Sequence, residues 1–236
     1  AGLVGAEAQA AVGAAPRAQP SLSALTVAMR ARTTGAPLIH HNVFFSSEYR
    51  AEFDDVFIQR RLPQSPTVYV CAQDRGDTAS PAGDAPERFL VLANAPANGD
   101  AQDLDPGETI RAARAVQEVL KRCGAEIELD EPTATATGPE QFGKLFPATG
   151  GALYGRASHG TMASFARPGT ETPIPGLYLA GGSAHPGAGV PMTVLSGRLA
   201  AQAVLTRLDS IARSRGTATR GGMRMAGATM GVSGSS

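Results

Sequence analysis

The sequence predicts an α/β fold, and two local patterns carry that prediction. The side chains of a strand alternate between its two faces, so apolar or alternating runs indicate strands. Three such runs occur, at residues 23–32, 65–74 and 89–96. A helix is predicted over residues 104–124, where Asp105 can cap the N-terminus, Pro106 suits the first helical position and Glu108 completes a capping box. These elements together predict a mixed sheet with helices packed against it.

The remaining elements follow in chain order. Residues 38–57 begin with a strand pattern and continue as a short helix, and residues 125–129 indicate another short strand. After a glycine-rich stretch, a short apolar strand at 176–181 leads into a helix at 191–208. Residues 213–236 are rich in Gly and Ser without periodicity, which predicts a disordered tail.

Composition excludes several classes of function. The 236 residues carry 21 basic and 21 acidic side chains and no Trp, so neither a basic field nor a stacking platform for nucleic acid is predicted. The two cysteines, Cys71 and Cys123, lack the spacing of a zinc site or a redox pair and are interpreted as reduced structural thiols. No signal peptide and no apolar run of membrane-spanning length is recognised.

A glycine-rich turn between the predicted strand and helix near the C-terminus is the main candidate for a ligand site. It reads "LAGGSAHPGAGVPM". Pro191 suits the first turn of the following helix. The glycines of the turn tolerate positive φ and let a ligand approach the backbone: Gly181, Gly182, Gly187 and Gly189. Free N–H groups at the start of that helix attract an anion or an electron-rich ring edge.

Several interpretations of this turn compete. A phosphate-binding loop is rejected, because no Lys follows the glycines. A nucleophile elbow around Ser183 has His185 where the last glycine is needed, and no later histidine could act as the base, so a serine hydrolase with a degenerate elbow is a minor alternative. A dinucleotide cofactor approached from its ring side and a tight turn without any ligand both stay open on the local pattern.

Longer motifs narrow this choice. Together with "GALYGRASHG" and "SFARPGT" before it, and with "HHNVFFSSEYRAEFDDVF", "PTVYVCAQDR" and "ANAPANGD" upstream, the turn resembles the C-terminal part of bacterial carotenoid desaturases of the phytoene-desaturase type, which belong to the flavin amine-oxidase superfamily. The resemblance covers residues 20–208. Within the family it is closest to the hydroxyneurosporene/methoxyneurosporene desaturase subgroup, whose members introduce a 3,4 double bond into 1-hydroxy-carotenoids.

The resemblance implies an FAD-dependent oxidoreductase that removes two hydrogens from a polyene. Gly181 and Gly182 would approach the ribityl and pyrophosphate part of FAD. The isoalloxazine ring would contact the following part of the turn: His185, Pro186, Gly187, Gly189, Val190, Pro191 and Met192. Relatives often have an acid where Gly182 stands, so only backbone contact is expected there. His159 and Phe165 are candidates for contact with the carotenoid, and no catalytic residue is assigned.

One departure from the family shapes the domain prediction. The G-x-G-x-x-G fingerprint that holds the FAD pyrophosphate is absent, so the resemblance implies a C-terminal fragment whose N-terminal FAD-binding half is missing. Residues 1–150 are assigned to a partial substrate domain, 151–212 to the last strand and helix of a Rossmann-like FAD domain, and 213–236 to the tail. The exposed apolar face of the helix at 191–208 would then make the fragment sticky. A non-catalytic module that binds an apolar ligand is the alternative.

The resemblance also implies peripheral association with the cytoplasmic side of the bacterial inner membrane, since carotenoids are membrane-soluble. Other side chains are given structural interpretations. The neighbouring His40 and His41 are expected on opposite faces of a strand, so no metal is predicted. The acids between Glu48 and Asp55 are expected on a solvated helix face. Four phenylalanines are expected in the core: Phe44, Phe45, Phe53 and Phe57.

Overall fold

The computed structural model describes residues 5–12, 20–78, 85–101, 106–129, 134–157 and 167–221. Internal contacts divide the chain into two units: residues 1–6 with 14–166, and residues 7–13 with 167–236. The first unit contains an antiparallel sheet with helices, and the second contains a long helix with the segment before it. The chain is therefore of mixed α and β structure, and the boundary at residue 150 stays a prediction.

The sheet has six strands: β1 (Ser23–Gly35), β2 (His41–Phe44), β3 (Val68–Ala72), β4 (Glu87–Ala95), β5 (Ala125–Leu129) and β6 (Thr135–Thr137). Their order is β2-β3-β4-β1-β5, and β6 also pairs with β1. Every pairing among these strands is antiparallel, so the predicted mixed sheet is wrong for the described part of the chain. Alternation of side chains has the same period in parallel and antiparallel strands, so it could not reveal strand direction.

The core lies on one face of this sheet. In register, Val91 of β4 is paired with Val27 of β1 and Val70 of β3, so alternate residues of the three strands share a face. The largest fully buried side chain is Phe89, and Val119 and Leu120 of the long helix of this unit complete the core cluster with it. Burial of each large apolar side chain contributes about 1.5–3 kcal/mol relative to its exposure.

The described residues of the first unit form three α-helices: α1 (Tyr49–Phe53), which continues as a π-helical turn over Asp54–Gln59, α2 (Pro106–Arg122) and α3 (Pro139–Leu145). The prediction of α2 is confirmed, and the chain leaves it through Gly124 at a φ of +78°. Its expected cap, Asp105, lies outside the described residues, as does the side chain of Glu108. Neither β6 nor α3 was predicted, because residues 130–150 carry no clear apolar period.

The sequence predicts a solvated face for the acids between Glu48 and Asp55. Glu48 and Asp54 are exposed, but the prediction is wrong for Glu52 and Asp55. Glu52 is 1% exposed and Asp55 is also buried. Glu52 accepts hydrogen bonds from the Thr67 backbone N–H at 3.0 Å and from Asn94 Nδ2 at 2.9 Å, which ties α1 to the sheet. Asp55 likewise accepts from the Gln64 N–H at 3.1 Å. The carboxylates are buried because they satisfy donors that the turning chain leaves unpaired.

Only part of the predicted phenylalanine core is buried. Phe44 packs against the core cluster, but Phe45 is 66% exposed, so the prediction is wrong for this residue. Phe45 begins an aromatic row, in which neighbouring ring centroids are 6.2, 5.0 and 6.3 Å apart: Phe45, Tyr49, Phe53 and Phe57. Tyr49, Phe53 and Phe57 are four residues apart in the helical segment, and residues at this spacing lie on one side of a helix, so their rings follow one another along its surface. Phe45 precedes the helix and packs against Tyr49.

The second unit contains α4 (Val190–Gly221), and a 3-10 helix spans Ala6–Val12. The strand predicted at 176–181 is wrong: Tyr178 makes only an isolated bridge with Glu171, because a strand needs a longer paired neighbour. The tail predicted from residue 213 is also wrong up to Gly221, since a helix extends more easily than it nucleates. Residues 222–236 lie outside the described residues.

The apolar side chains of α4 are exposed, as predicted for this helix. Val190 is 79% exposed, and further large apolar side chains are open to solvent along its length: Met192, Val194, Leu195, Leu199, Leu205, Leu208 and Ile211. Of the helices in the described ranges, none combines the length and apolar content that a bilayer crossing requires.

Candidate functional site

The glycine-rich turn before α4 has a backbone that its glycines make possible. Gly181, Gly187 and Gly189 have φ values of +118°, +138° and +101°, which L-residues with side chains rarely adopt. A Cβ built on Gly181 or Gly189 would meet no atom within 4 Å, so the backbone at both positions borders open space. A ligand could therefore contact this backbone directly, as the sequence predicts.

The buried side chain of Arg167 fixes the conformation of the glycine-rich turn. Arg167 Nη1 donates to the carbonyl oxygen of Gly182 at 2.8 Å. Gly187 is buried against it, and a Cβ at this glycine would lie 3.4 Å from Arg167 Nε. The backbone N–H of His185 also donates to the Pro168 carbonyl at 2.8 Å. In the sequence, Arg167 stands within "SFARPGT" without an assigned role. Its role in positioning the turn depends on the hydrogen bond to Gly182, which no local sequence pattern predicts.

The start of α4 is fixed to the same turn. The Thr193 N–H donates to the Gly189 carbonyl at 2.8 Å, and the Gly181 N–H donates to Ser196 Oγ at 3.2 Å. Ser196 is fully buried, so this bond connects the first glycine of the turn to the second turn of the helix. The first N–H groups of a helix have no partner within it, which leaves donors directed toward an approaching ligand.

The predicted cofactor residues therefore come together in one turn. His185 and Pro186 are half-buried and joined by a cis peptide bond, whereas Val190, Pro191 and Met192 are exposed at the start of α4. The predicted substrate residues His159 and Phe165 lie outside the described residues, so their roles stay predictions.

A second candidate surface belongs to the first unit. The sheet face opposite the core, called here the outer sheet face, presents Val43, Tyr69, Leu90 and Leu92, which the strand register places side by side. Val43 is exposed and the other three are half-buried. Burial raises the pKa of the Tyr69 phenol above its ordinary value, and the nearby Cys71 raises it further. The outer sheet face thus offers a largely apolar strip with one neutral hydroxyl.

The two neighbouring histidines are not on opposite faces, and that prediction is wrong. His40 precedes β2, so the strand alternation does not apply to it, and its ring centroid lies 4.4 Å from that of His41. The pairing of His41 with Cys71 brings the buried thiol to the same place. Cys123 is free and exposed.

Comparison with known proteins identifies the family. The family of flavin containing amine oxidoreductases matches residues 27–205, which include both the sheet and the glycine-rich turn. The chain belongs to the flavin containing amine oxidoreductase family. The family predicted from the sequence motifs is thereby confirmed.

Carotenoid desaturases are among the similar members of this flavin family. A hydroxyneurosporene desaturase of Rubrivivax gelatinosus is 51% identical over 98% of this chain and 44% of its own length. Another, of Cereibacter sphaeroides, is 42% identical over 82% of this chain and 38% of its own. A 1-hydroxycarotenoid 3,4-desaturase of a Flavobacterium species is 35% identical over 70% of this chain and 33% of its own length. The chain thus spans less than half the length of these relatives.

Proposed function

We propose that the chain forms part of an FAD-dependent carotenoid desaturase that acts on 1-hydroxy- or methoxy-carotenoids in carotenoid biosynthesis. The observation that carries this proposal is the open backbone of the glycine-rich turn. Gly181 and Gly189 border empty space at positive φ, directly before the N-terminus of α4. This arrangement suits the edge of a flavin, whose carbonyl oxygens and ring nitrogens accept hydrogen bonds from backbone N–H groups.

The chain's own contribution to the reaction is positioning. A bound flavin would accept one of the two hydrogens as a hydride, while the hydrogen on the neighbouring carbon would leave as a proton to solvent or a base. Arg167 and Ser196 keep the turn in one shape through bonds to Gly182 and Gly181, so the backbone needs little rearrangement on binding. Gly181 and Gly182 would hold the ribityl and pyrophosphate part of FAD, and the segment from His185 to Met192 would lie along the isoalloxazine ring. Because Gly182 has no side chain, only its backbone would contact the cofactor.

The outer sheet face is our proposed contact surface for the polyene. An extended hydrocarbon requires a long apolar strip. Val43 of β2 and Leu90 and Leu92 of β4 supply one, and Tyr69 of β3 lies between them. The half-buried Tyr69 adds a hydroxyl that can bond the terminal oxygen of a 1-hydroxy-carotenoid. His159 and Phe165 are further substrate contacts in this proposal.

We further propose a two-domain arrangement, in which residues 151–212 complete an FAD domain and residues 1–150 contribute a substrate domain. The pyrophosphate-binding fingerprint, absent from this sequence, is then supplied by a separate N-terminal half. The exposed apolar side chains of α4 support this proposal, because a surface with Val190 and Val194 open to water gains stability when another segment covers it.

The aromatic row is our proposed membrane contact. Phe45 and Tyr49 are exposed, and Arg60 and Arg61 follow the row at the end of its π-helical turn. Aromatic rings enter the lipid interface while arginines bind anionic headgroups, so this surface suits peripheral association with the cytoplasmic side of a bacterial inner membrane. Co-sedimentation with anionic vesicles tests it. We expect Phe45→Ser to lower the bound fraction and Val12→Ser to leave it unchanged.

Cofactor binding is the decisive experiment. The chain is purified with added FAD, alone and together with a fingerprint-bearing N-terminal half of the Rubrivivax relative, and flavin absorption is measured. We expect flavin in the paired sample. Gly189→Val should remove it, whereas Gly169→Val, at an ordinary φ and in open space, should not. Folded protein without flavin in both samples would refute the proposal, and a bound carotenoid in that case would favour the non-catalytic apolar-ligand module.

A further inference from the structure

Three metal-binding side chains meet at the edge of the sheet where β2 pairs with β3. One ligand atom from each of His40, His41 and Cys71 lies within 4.8 Å of the other two. His40 Nε2 is 3.6 Å from Cys71 Sγ. In a tetrahedral zinc site, Zn–S bonds of about 2.3 Å and Zn–N bonds of about 2.0–2.1 Å place sulfur and nitrogen about 3.6 Å apart. The observed separation therefore already matches that of two ligands of one ion.

The proton arrangement of His40 favours metal binding. Its Nδ1 lies 3.0 Å from the backbone carbonyl oxygen of Arg75, which can only accept a hydrogen bond. Nδ1 therefore carries the proton, and Nε2 presents its lone pair toward Cys71. A ligating histidine in proteins is commonly oriented in this way, with its second nitrogen bonded to a carbonyl or carboxylate.

The surroundings hold this arrangement. Arg75 is buried and its Nε donates to Glu87 at 2.7 Å, so the carbonyl that orients His40 belongs to an anchored residue. The backbone of His40 also bonds the sheet, since the Ala72 N–H donates to its carbonyl at 2.9 Å. The second ring is fixed as well, because His41 Nδ1 lies 2.8 Å from the Tyr69 hydroxyl. Sites built on such rigid elements need little rearrangement to accept an ion.

We propose that His40, His41 and Cys71 form a Zn²⁺ site, with two imidazole nitrogens and one thiolate as protein ligands and water at the fourth position. Two nitrogens and one sulfur suit zinc better than the oxygen-seeking Mg²⁺ and Ca²⁺. Cys71 is buried, His40 half-buried and His41 exposed, so the ion can enter from the His41 side. On binding, the thiol of Cys71 loses its proton to solvent as the Zn–S bond forms.

Titration with Co²⁺ alone tests the site, since this ion substitutes for zinc and gives a near-ultraviolet charge-transfer band only when a thiolate binds it. The full chain, treated with a chelator, is titrated and Zn²⁺ is then added in competition. We expect one Co²⁺ per chain, a thiolate band, and loss of that band when Zn²⁺ displaces it. No thiolate band would overturn the proposal.

The two cysteines provide a matched pair of variants. Cys71→Ser should remove the thiolate band, and Cys123→Ser should keep it, because Cys123 is exposed at the end of α2. His41→Ala changes an exposed side chain and leaves the core intact. It should weaken Zn²⁺ binding by about 100-fold or more, since even groups behind the ligands contribute 10- to 100-fold. A band that survives Cys71→Ser, or unchanged affinity in His41→Ala, would refute the site.

Discussion

Glu52 gives the sharpest test of how the helix α1 is held to the sheet. Its carboxylate is 1% exposed and accepts two hydrogen bonds, from the Thr67 N–H and from Asn94 Nδ2. In Glu52→Ala the donors of the half-buried residues Thr67 and Asn94 lose their acceptor, at a cost of about 1–3 kcal/mol each. We therefore expect the free energy of unfolding to fall by about 2–6 kcal/mol. For a domain stable by about 5–15 kcal/mol, this is a large fraction of the total.

Urea unfolding followed by circular dichroism measures this effect. The matched control is Glu48→Ala, which removes an exposed carboxylate near the start of the same helix and should cost within about 0.5 kcal/mol. Glu52→Gln retains one acceptor and should fall between the two. Equal unfolding free energies for Glu52→Ala and Glu48→Ala would show that the buried carboxylate does not anchor α1, and the reasoning would fail.

Three further predictions concern the glycine-rich turn, the dependence of stability on Asp74 at low pH, and the exposed face of α4. Gly187→Ala places a side chain at a φ of +138° and should destabilise the chain by about 1–3 kcal/mol in thermal unfolding, whereas Gly169→Ala should have little effect. Hydrogen bonds from Arg88 lower the pKa of Asp74, so its stabilisation is complete above the unfolded value of 3.8 and disappears as pH falls through the lower folded pKa. Asp74→Asn should therefore lose less stability on acidification than the unchanged chain, and an identical pH profile would contradict this. Leu205→Gln removes an exposed apolar side chain and should reduce self-association in light scattering; unchanged scattering would show that this face is not sticky.

Much of the fold of the first unit could be predicted because its signals are local. The alternation in β1 and β4 and the long amphipathic pattern of α2 lie within single segments. The order and direction of the strands could not be predicted, because the pairing of Ser23 with Ala95 joins distant parts of the chain. No local period records such a partner.

Part of the candidate site could likewise be predicted from local sequence, and part of it could not. The glycines of the turn could be recognised because only glycine tolerates the positive φ that Gly181 and Gly189 adopt. Arg167 and the cluster of His40 with Cys71 were missed, since their contacts form between segments that are separated in sequence. His40 lies one residue before β2, and this alone made the prediction for the two histidines wrong.

The central position of β1 has a consequence for synthesis of the chain on the ribosome. This strand is made before its partners β4, β5 and finally β6, and the last of these, β6, ends with Thr137, which pairs with Thr26. At translation rates of about 5–20 residues per second, the intervening stretch of about 100 residues takes roughly 5–20 s to make. Both edges of β1 are open to other nascent chains until β4 is made, and the edge that pairs with β5 and β6 stays open for longer. Chaperone capture should therefore be strongest in this window, and slower codons after β1 should lower the yield of folded protein.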